Sequence, residues 1–210
     1  MRDLKNNIGK KKQRRKMTKQ CNKCIDGWIK EEGGICWCEC KARKVIVEQI
    51  GEKFKDCDIA NTKLLAHQDK AKVILSKPEG SYFLVGDFGR GKTHLLASQY
   101  GYLLKKYRRP AVRFWREVDL VEDWQNWEEG RYYVVSELKD KDYKHIFLDD
   151  LGRAKITERV QQEMYGLIDW IYTSQIGLSI SSNFSYEKLI DKYGGATVRR
   201  IKDICKGIKI

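Results

Sequence analysis

Residues 86 to 93 read Gly86-Asp87-Phe88-Gly89-Arg90-Gly91-Lys92-Thr93, a match to the phosphate-binding spacing G-x-x-x-x-G-K-[ST]. Glycine reaches backbone angles closed to other residues, so successive N–H groups in such a loop can turn inward around a phosphate. Lys92 would neutralise β- and γ-phosphate oxygens, and Thr93 would place its hydroxyl on magnesium. His94, next in line, closes the nucleotide-binding stretch of residues 86 to 94 and reads as a helix-surface or core histidine, not a catalytic one. A second constellation is Ile146-Phe147-Leu148-Asp149-Asp150, an apolar run ending in two acids. There Asp149 would hold magnesium, and Asp150 would orient or activate an attacking water. A third is Asn183, closing the run Leu178-Ser179-Ile180-Ser181-Ser182, where a polar side chain can reach a γ-phosphate or simply cap a strand.

A separate group of residues points to metal chemistry. Five of the seven cysteines fall between residues 20 and 42: Cys21, Cys24, Cys36, Cys38 and Cys40. The pairs Cys21-x-x-Cys24 and Cys38-x-Cys40 are short enough for each to bring two sulfurs to one ion, with Gly27, Gly33 and Gly34 in the loop between. Four thiolates converging in this way make a tetrahedral zinc site, and in so small a segment zinc would supply the folding energy. Cys36 is a fifth thiol that could replace a member of the second pair. Cys57 and Cys205 stand alone and read as small buried apolar residues.

These residues need elements to position them. Short apolar runs at Tyr82 to Val85, Ala111 to Trp115, His145 to Asp149, Leu178 to Ser182 and Gly207 to Ile210 read as strands. Helical patterns lie between them, at Thr93 to Tyr107 and at Glu158 to Tyr172, the latter with Val160, Met164, Leu167, Ile168 and Ile171 on one face. Strands alternating with helices predict an α/β fold with a five-stranded parallel sheet covered on both sides. The phosphate loop then sits between a strand and a helix whose positive end faces the phosphates.

With 210 residues, the chain suits one such core plus a small module, and hence one nucleotide site. Composition shifts divide it into a basic arm at 1–19, a zinc-binding module at 20–42, a helical connector at 43–79 and the α/β core at 80–210. The first twenty residues carry nine Lys or Arg against Asp3, a net +8 of the chain's +13. Such a block is a solvated arm, either solubilising or in contact with nucleic-acid phosphates or an acidic partner. No apolar run reaches eighteen residues and no secretory signal is apparent, so a cytoplasmic protein without membrane contact or structural disulfides is expected.

The stretches GDFGRGKTHLL, HIFLDDLG and SISSNFS, followed by ATVRRIKDIC, resemble the AAA+ ATPases of the DnaC/DnaI helicase-loader family, related to the IstB transposition helpers. The resemblance covers about residues 50 to 210. It implies a P-loop AAA+ core with Lys92 and Thr93 as Walker A residues, Asp149 and Asp150 as Walker B acids and Asn183 as sensor 1. It further implies Arg200 as an arginine finger entering a neighbour's site, with Arg199 adjacent and not separable from it by motif. A homo-oligomer with shared ATP sites follows. The Cys-rich segment with Asp26-Gly27-Trp28-Ile29 is similar to the zinc-bearing N-terminal regions of some loaders, which dock on the replicative helicase.

There are departures. The second Walker B acid is Asp150, where AAA+ proteins usually carry Glu, and its carboxylate reaches one methylene less far. The sequence after the fifth strand leaves no room for a C-terminal helical lid, as in the loader branch, so turnover is expected to be weak alone and stimulated by assembly. The implied function is loading of a replicative helicase hexamer onto single-stranded DNA. Lys105, Lys106, Arg108, Arg109 and Arg113 are candidate phosphate contacts, and Phe114, Trp115, Trp124 and Trp127 are either core or base-stacking residues. Two other readings fit the same residues: an IstB-type transposition helper, and a zinc-dependent adaptor for which ATP is only a binding switch.

Overall fold

The computed structural model describes residues 21–31, 34–125 and 141–210. The basic arm and Trp127 lie outside the described residues. Five strands form one parallel sheet: β3 (Tyr82–Val85), β4 (Val112–Arg116), β5 (His145–Leu151), β6 (Gly177–Ser182) and β7 (Lys206–Lys209). Their order across the sheet is β4-β5-β6-β3-β7, with every pairing parallel. The five-stranded parallel sheet expected from the alternating pattern is therefore present. Its β4 begins one residue later than the apolar run, because the Ala111 N–H turns back to Arg109 O beside Pro110.

The alternation of side chains along each strand sends residues to two layers. On one side, Phe83, Ile146, Leu148, Leu178 and Ile180 meet α5 (Glu158–Thr173) and α7 (Gly195–Ile204), in a core that also takes residues of α4 (Glu117–Gln125) and α6 (Tyr186–Tyr193). Val160, Met164, Leu167, Ile168 and Ile171 of α5 are all fully buried, as their spacing predicts. On the other side, Tyr82, Leu84, Phe114 and Phe147 meet α3 (Lys92–Tyr107) and α1 (Glu39–Ile50). Between α1 and β3 the chain runs through three short 3-10 turns and α2 (Lys72–Ser76).

The Cys-rich segment is more ordered than a glycine loop. Residues Trp28–Glu31 (β1) and Gly34–Trp37 (β2) pair antiparallel, and α1 starts directly after Cys38. Trp37, Ala42 and Ile46 then pack in the same cluster as Leu95 and Tyr100 of α3, so this segment is anchored to the core. No helix among the described residues is long and apolar enough to cross a membrane.

Candidate nucleotide-binding site

The parallel order puts the C-terminal ends of β5, β6 and β3 side by side, and each end carries one of the motifs. Ligands of open α/β sheets bind along this edge. After β3 the loop passes from Gly86 to Gly91, with left-handed backbone at Gly89 (φ 73°) and Gly91 (φ 80°), and Lys92 opens α3. Gly86 lies against the end of the sheet, where a Cβ would fall 2.2 Å from Ile210 O. Within the loop, Asp87, Phe88, Gly89 and Arg90 are exposed, Phe88 almost wholly so.

Lys92 is buried, and its Nζ donates to Gly86 O at 2.8 Å, Asp87 O at 2.8 Å and Asn183 Oδ1 at 2.7 Å. The first and third motifs thus meet at one ammonium, although 91 residues separate Lys92 from Asn183. Burial pushes the Lys92 ammonium toward its neutral form, while the charges of Asp150, Asp149 and Asp87 oppose that shift. A cation held out of water in this way gains most from an incoming anion.

Thr93 Oγ1 donates to both Asp149 oxygens, at 3.0 and 3.1 Å, which joins the first motif to the second. Asp149 is itself buried, and burial pushes its carboxyl up from the usual range, against the hydrogen bonds from Ser181 and Thr93. A hydroxyl beside a carboxylate is a pair of hard oxygen donors, the type magnesium takes alongside phosphate oxygens. Asp150 sits one residue on, with φ 59°, and its carboxylate pairs with Arg153 at 3.0 Å. Left-handed backbone at a non-glycine residue is uncommon, and it is concentrated at functional turns.

Three further residues shape this site without having drawn attention in sequence. Ser181 donates to Asp149 Oδ1 at 2.5 Å and accepts the Asp150 N–H at 2.9 Å, locking both acids to β6. Gln68, buried, donates to Arg90 O at 2.6 Å and accepts the Leu65 N–H at 3.0 Å, so the segment before α2 holds the phosphate loop from outside. Glu117, the first residue of α4, is wholly buried beneath the turn that follows Asp150. A serine within an apolar strand and a glutamine among apolar neighbours are faint signals; Glu117 looks like an ordinary helix-start acid.

His94 is exposed in the first turn of α3, with its Nδ1 3.6 Å from Cys57 Sγ. Arg200 lies on α7 against α5, where it donates to Tyr165 Oη at 3.1 Å and stacks over the Tyr165 and Tyr172 rings. Its Nε is 2.8 Å from Asp169 Oδ1, an ion pair without hydrogen-bond geometry. None of these contacts reaches the nucleotide loop of the same chain. Arg199 is exposed and has no polar side-chain contact among the described residues.

The basic residues considered for DNA contact are engaged elsewhere. Lys105 pairs with Asp58, Lys106 with Glu79, Arg108 with Glu31 and Arg109 with Asp142. Phe114, Trp115 and Trp124 are core residues, and Arg113 lies over the Trp115 ring.

Cys21, Cys24, Cys38 and Cys40 gather their sulfurs within 4.8 Å of one another, with Cys21 to Cys38 at 3.9 Å and Cys24 to Cys40 at 3.3 Å. Tetrahedral zinc with bonds of about 2.3 Å sets sulfurs about 3.8 Å apart, so the cluster is compatible with that ion. Burial pushes the Cys40 thiol up to about 12, a resistance to ionisation that a bound cation would reverse. Cys36 stands outside the cluster, directed at Ile29 O.

No protein-family model matches the chain. The chromosomal replication initiator protein DnaA of Neisseria meningitidis is 28% identical over 108 residues, covering 50% of this chain and 21% of that protein. The chain therefore spans about a fifth of the length of the curated relatives it matches. The crystal structure of the DnaC helicase loader superposes with a TM-score of 0.63 at 18% identity, covering 76% of this chain and 99% of that one. DnaI gives a TM-score of 0.63 at 18% identity, over 75% of this chain and 93% of that one. The chain carries the AAA+ fold. AMPPCP-bound DnaA from Aquifex aeolicus shares it, with a TM-score of 0.56 at 21% identity over 73% of this chain and 49% of that one.

Proposed function

We propose that this chain is an AAA+ ATPase of DNA replication that loads a replicative helicase hexamer onto single-stranded DNA. The observation that carries the ATPase reading is the convergence of Lys92 on Asn183 and of Thr93 on Asp149 at one sheet edge. Phosphate oxygens replace Gly86 O, Asp87 O and Asn183 Oδ1 around the Lys92 ammonium, and the loop N–H groups face the same oxygens. Magnesium, held by Thr93 and Asp149, supplies charge neutralisation to the triphosphate. Asp150 orients the attacking water and takes its proton, while Asn183 contacts the γ-phosphate or that water. Zinc, held by Cys21, Cys24, Cys38 and Cys40, fixes the N-terminal hairpin.

The loader reading draws on the extent of the likeness, which takes in nearly the whole DnaC and DnaI chains but about half of DnaA. Its test is affinity capture with the full chain and ATP. The expected result is recovery of the replicative helicase, and capture of a transposase in its place would favour the IstB-type reading.

Arg200, tied to α5 in its own chain, serves the site of a neighbouring subunit. Arg200→Ala should lower assembly-stimulated hydrolysis at least about 10³-fold, the usual worth of a finger supplied in trans. Lys92→Ala has an inactive site and an intact finger, so mixing it with Arg200→Ala should recover activity that neither shows alone. No recovery on mixing, in assemblies shown to contain both variants, would contradict shared sites.

A further inference from the structure

Glu117 is a carboxylate with no accessible surface, and it meets the site only through the turn that follows Asp150. Its Oε2 accepts the backbone N–H groups of Gly152 at 3.0 Å and Ala154 at 2.8 Å, and its Oε1 accepts the Tyr193 hydroxyl. All three donors are neutral. A buried carboxylate that faces only neutral donors among the described residues is expensive to place, and it persists where the hydrogen bonds it receives fix something that matters.

What these bonds fix is the turn leaving the Walker B strand. That turn runs through two left-handed residues, Asp150 at φ 59° and Gly152 at φ 100°, and is closed by the Arg153 N–H on Asp150 O at 3.2 Å. Gly152 is also crowded, since a Cβ there would fall 2.5 Å from the Phe184 ring. At Asp150, which carries a Cβ, such a backbone is costly and holds when its surroundings over-determine it. Here Ser181 holds the turn at the Asp150 N–H, and Glu117 holds it at the two N–H groups beyond. The other end of the clamp is Tyr193, the last residue of α6, after which Gly194 leads directly into the helix that carries Arg200.

We propose that Glu117 is a positioning residue for hydrolysis: it fixes the turn that presents Asp150 and ties that turn, through Tyr193, to the helix pair that carries Arg200. It acts through Asp150 and contacts no substrate. The inference rests on the ATPase reading above. A displacement of about 1 Å in a reacting group can cost about 10²-fold in rate, and the clamp controls displacements of that size.

The test compares Glu117→Ala, Glu117→Gln and Tyr193→Phe in the full chain, with ATP binding and turnover measured separately. Glu117→Ala should lower kcat by about 10- to 100-fold while the Kd for ATP stays within about threefold, because Lys92 and the phosphate loop are untouched. Glu117→Gln keeps an oxygen for Gly152 and Ala154 and should recover most of that loss; Tyr193→Phe should lose only part. In an Asp150→Asn background, Glu117→Ala should have no further effect on kcat, as expected when one residue acts through the other.

Equal losses in binding and kcat, no recovery by glutamine, or full additivity with Asp150→Asn would overturn the proposal and leave Glu117 as packing alone. Amide hydrogen exchange gives a readout free of activity. Glu117→Ala should expose the Gly152 and Ala154 amides while the amides of α3 stay protected, and unchanged protection at the turn would also overturn the proposal. A wild-type chain that binds ATP but never hydrolyses it would instead sink the ATPase reading, and with it a role for Glu117 in hydrolysis.

Discussion

Lys92→Ala should weaken ATP binding by about 10³-fold and eliminate measurable hydrolysis, while the fold survives. Removing one partner from a buried charged contact costs about 3–5 kcal/mol, and each 1.4 kcal/mol is a factor of ten in affinity. In the bound state the abandoned partners are the phosphate oxygens, so the loss falls on the complex. Without nucleotide, the groups left behind are Gly86 O, Asp87 O and Asn183 Oδ1 at the loop surface, where water can replace the ammonium. Titration with a fluorescent ATP analogue, beside thermal melting of the same variant, separates the two. Unaltered affinity would remove Lys92 from the site, and loss of the folded state would mean that its three contacts serve the fold.

The second large effect is expected at the cysteines. The purified chain should carry one zinc per protomer, and a chelator strong enough to remove it should unfold the hairpin of β1 and β2. Structural zinc contributes on the order of 10–16 kcal/mol to the folding of such small modules. The damage should spread, because Trp37, Ala42 and Ile46 lie in the same apolar cluster as α3, and a fall in melting temperature of the whole chain is therefore expected. Cys24→Ser or Cys40→Ser should lose the metal, whereas Cys36→Ser should keep it, since Cys36 turns toward Ile29 O and away from the other four sulfurs. Metal analysis of the three variants decides this, and loss of zinc from Cys36→Ser would displace the ligand set. Trp28 and Trp37, which meet edge to face with ring centroids 6.4 Å apart, provide a fluorescence signal for the same transition.

The parts legible in sequence are those whose chemistry is local. The phosphate loop, the two acids near the end of β5 and the five strands each carry their signal within a few consecutive residues. The helix of α5 does so across about three turns of one apolar face, from Val160 to Ile171. The pairing of β1 with β2 was hidden because its strands are four residues each and Gly27, Gly33 and Gly34 in this stretch suggest a plain loop. Glu117 was hidden for a different reason. Its partners lie 35, 37 and 76 residues away, and nothing in the spacing of an acid at a helix start announces a buried clamp. Gln68 is alike, since its hold on Arg90 O depends on where the segment before α2 comes to rest. The Arg199 and Arg200 ambiguity is one residue wide, which motif spacing cannot separate. Within the chain their settings differ, Arg200 being tethered to Asp169 and Tyr165 and Arg199 exposed, and the mixing experiment run with variants at each position assigns the finger.

Asp150 concentrates what is unusual about this site. It is one methylene shorter than the common glutamate, its backbone is left-handed, and its carboxylate pairs with Arg153. Each feature is compatible with the proposed completion of the site by a neighbour and the proposed weak turnover alone. The most direct measurement is phosphate release from ATP with magnesium, followed over a range of protein concentrations in the presence of single-stranded DNA, for the wild-type chain and Asp150→Asn. Turnover per subunit that rises with assembly, and falls at least about 10²-fold to a measurable residual rate in Asp150→Asn while ATP binding persists, is the predicted result. Undetectable release at every concentration, or equal release from Asp150→Asn, would contradict the account.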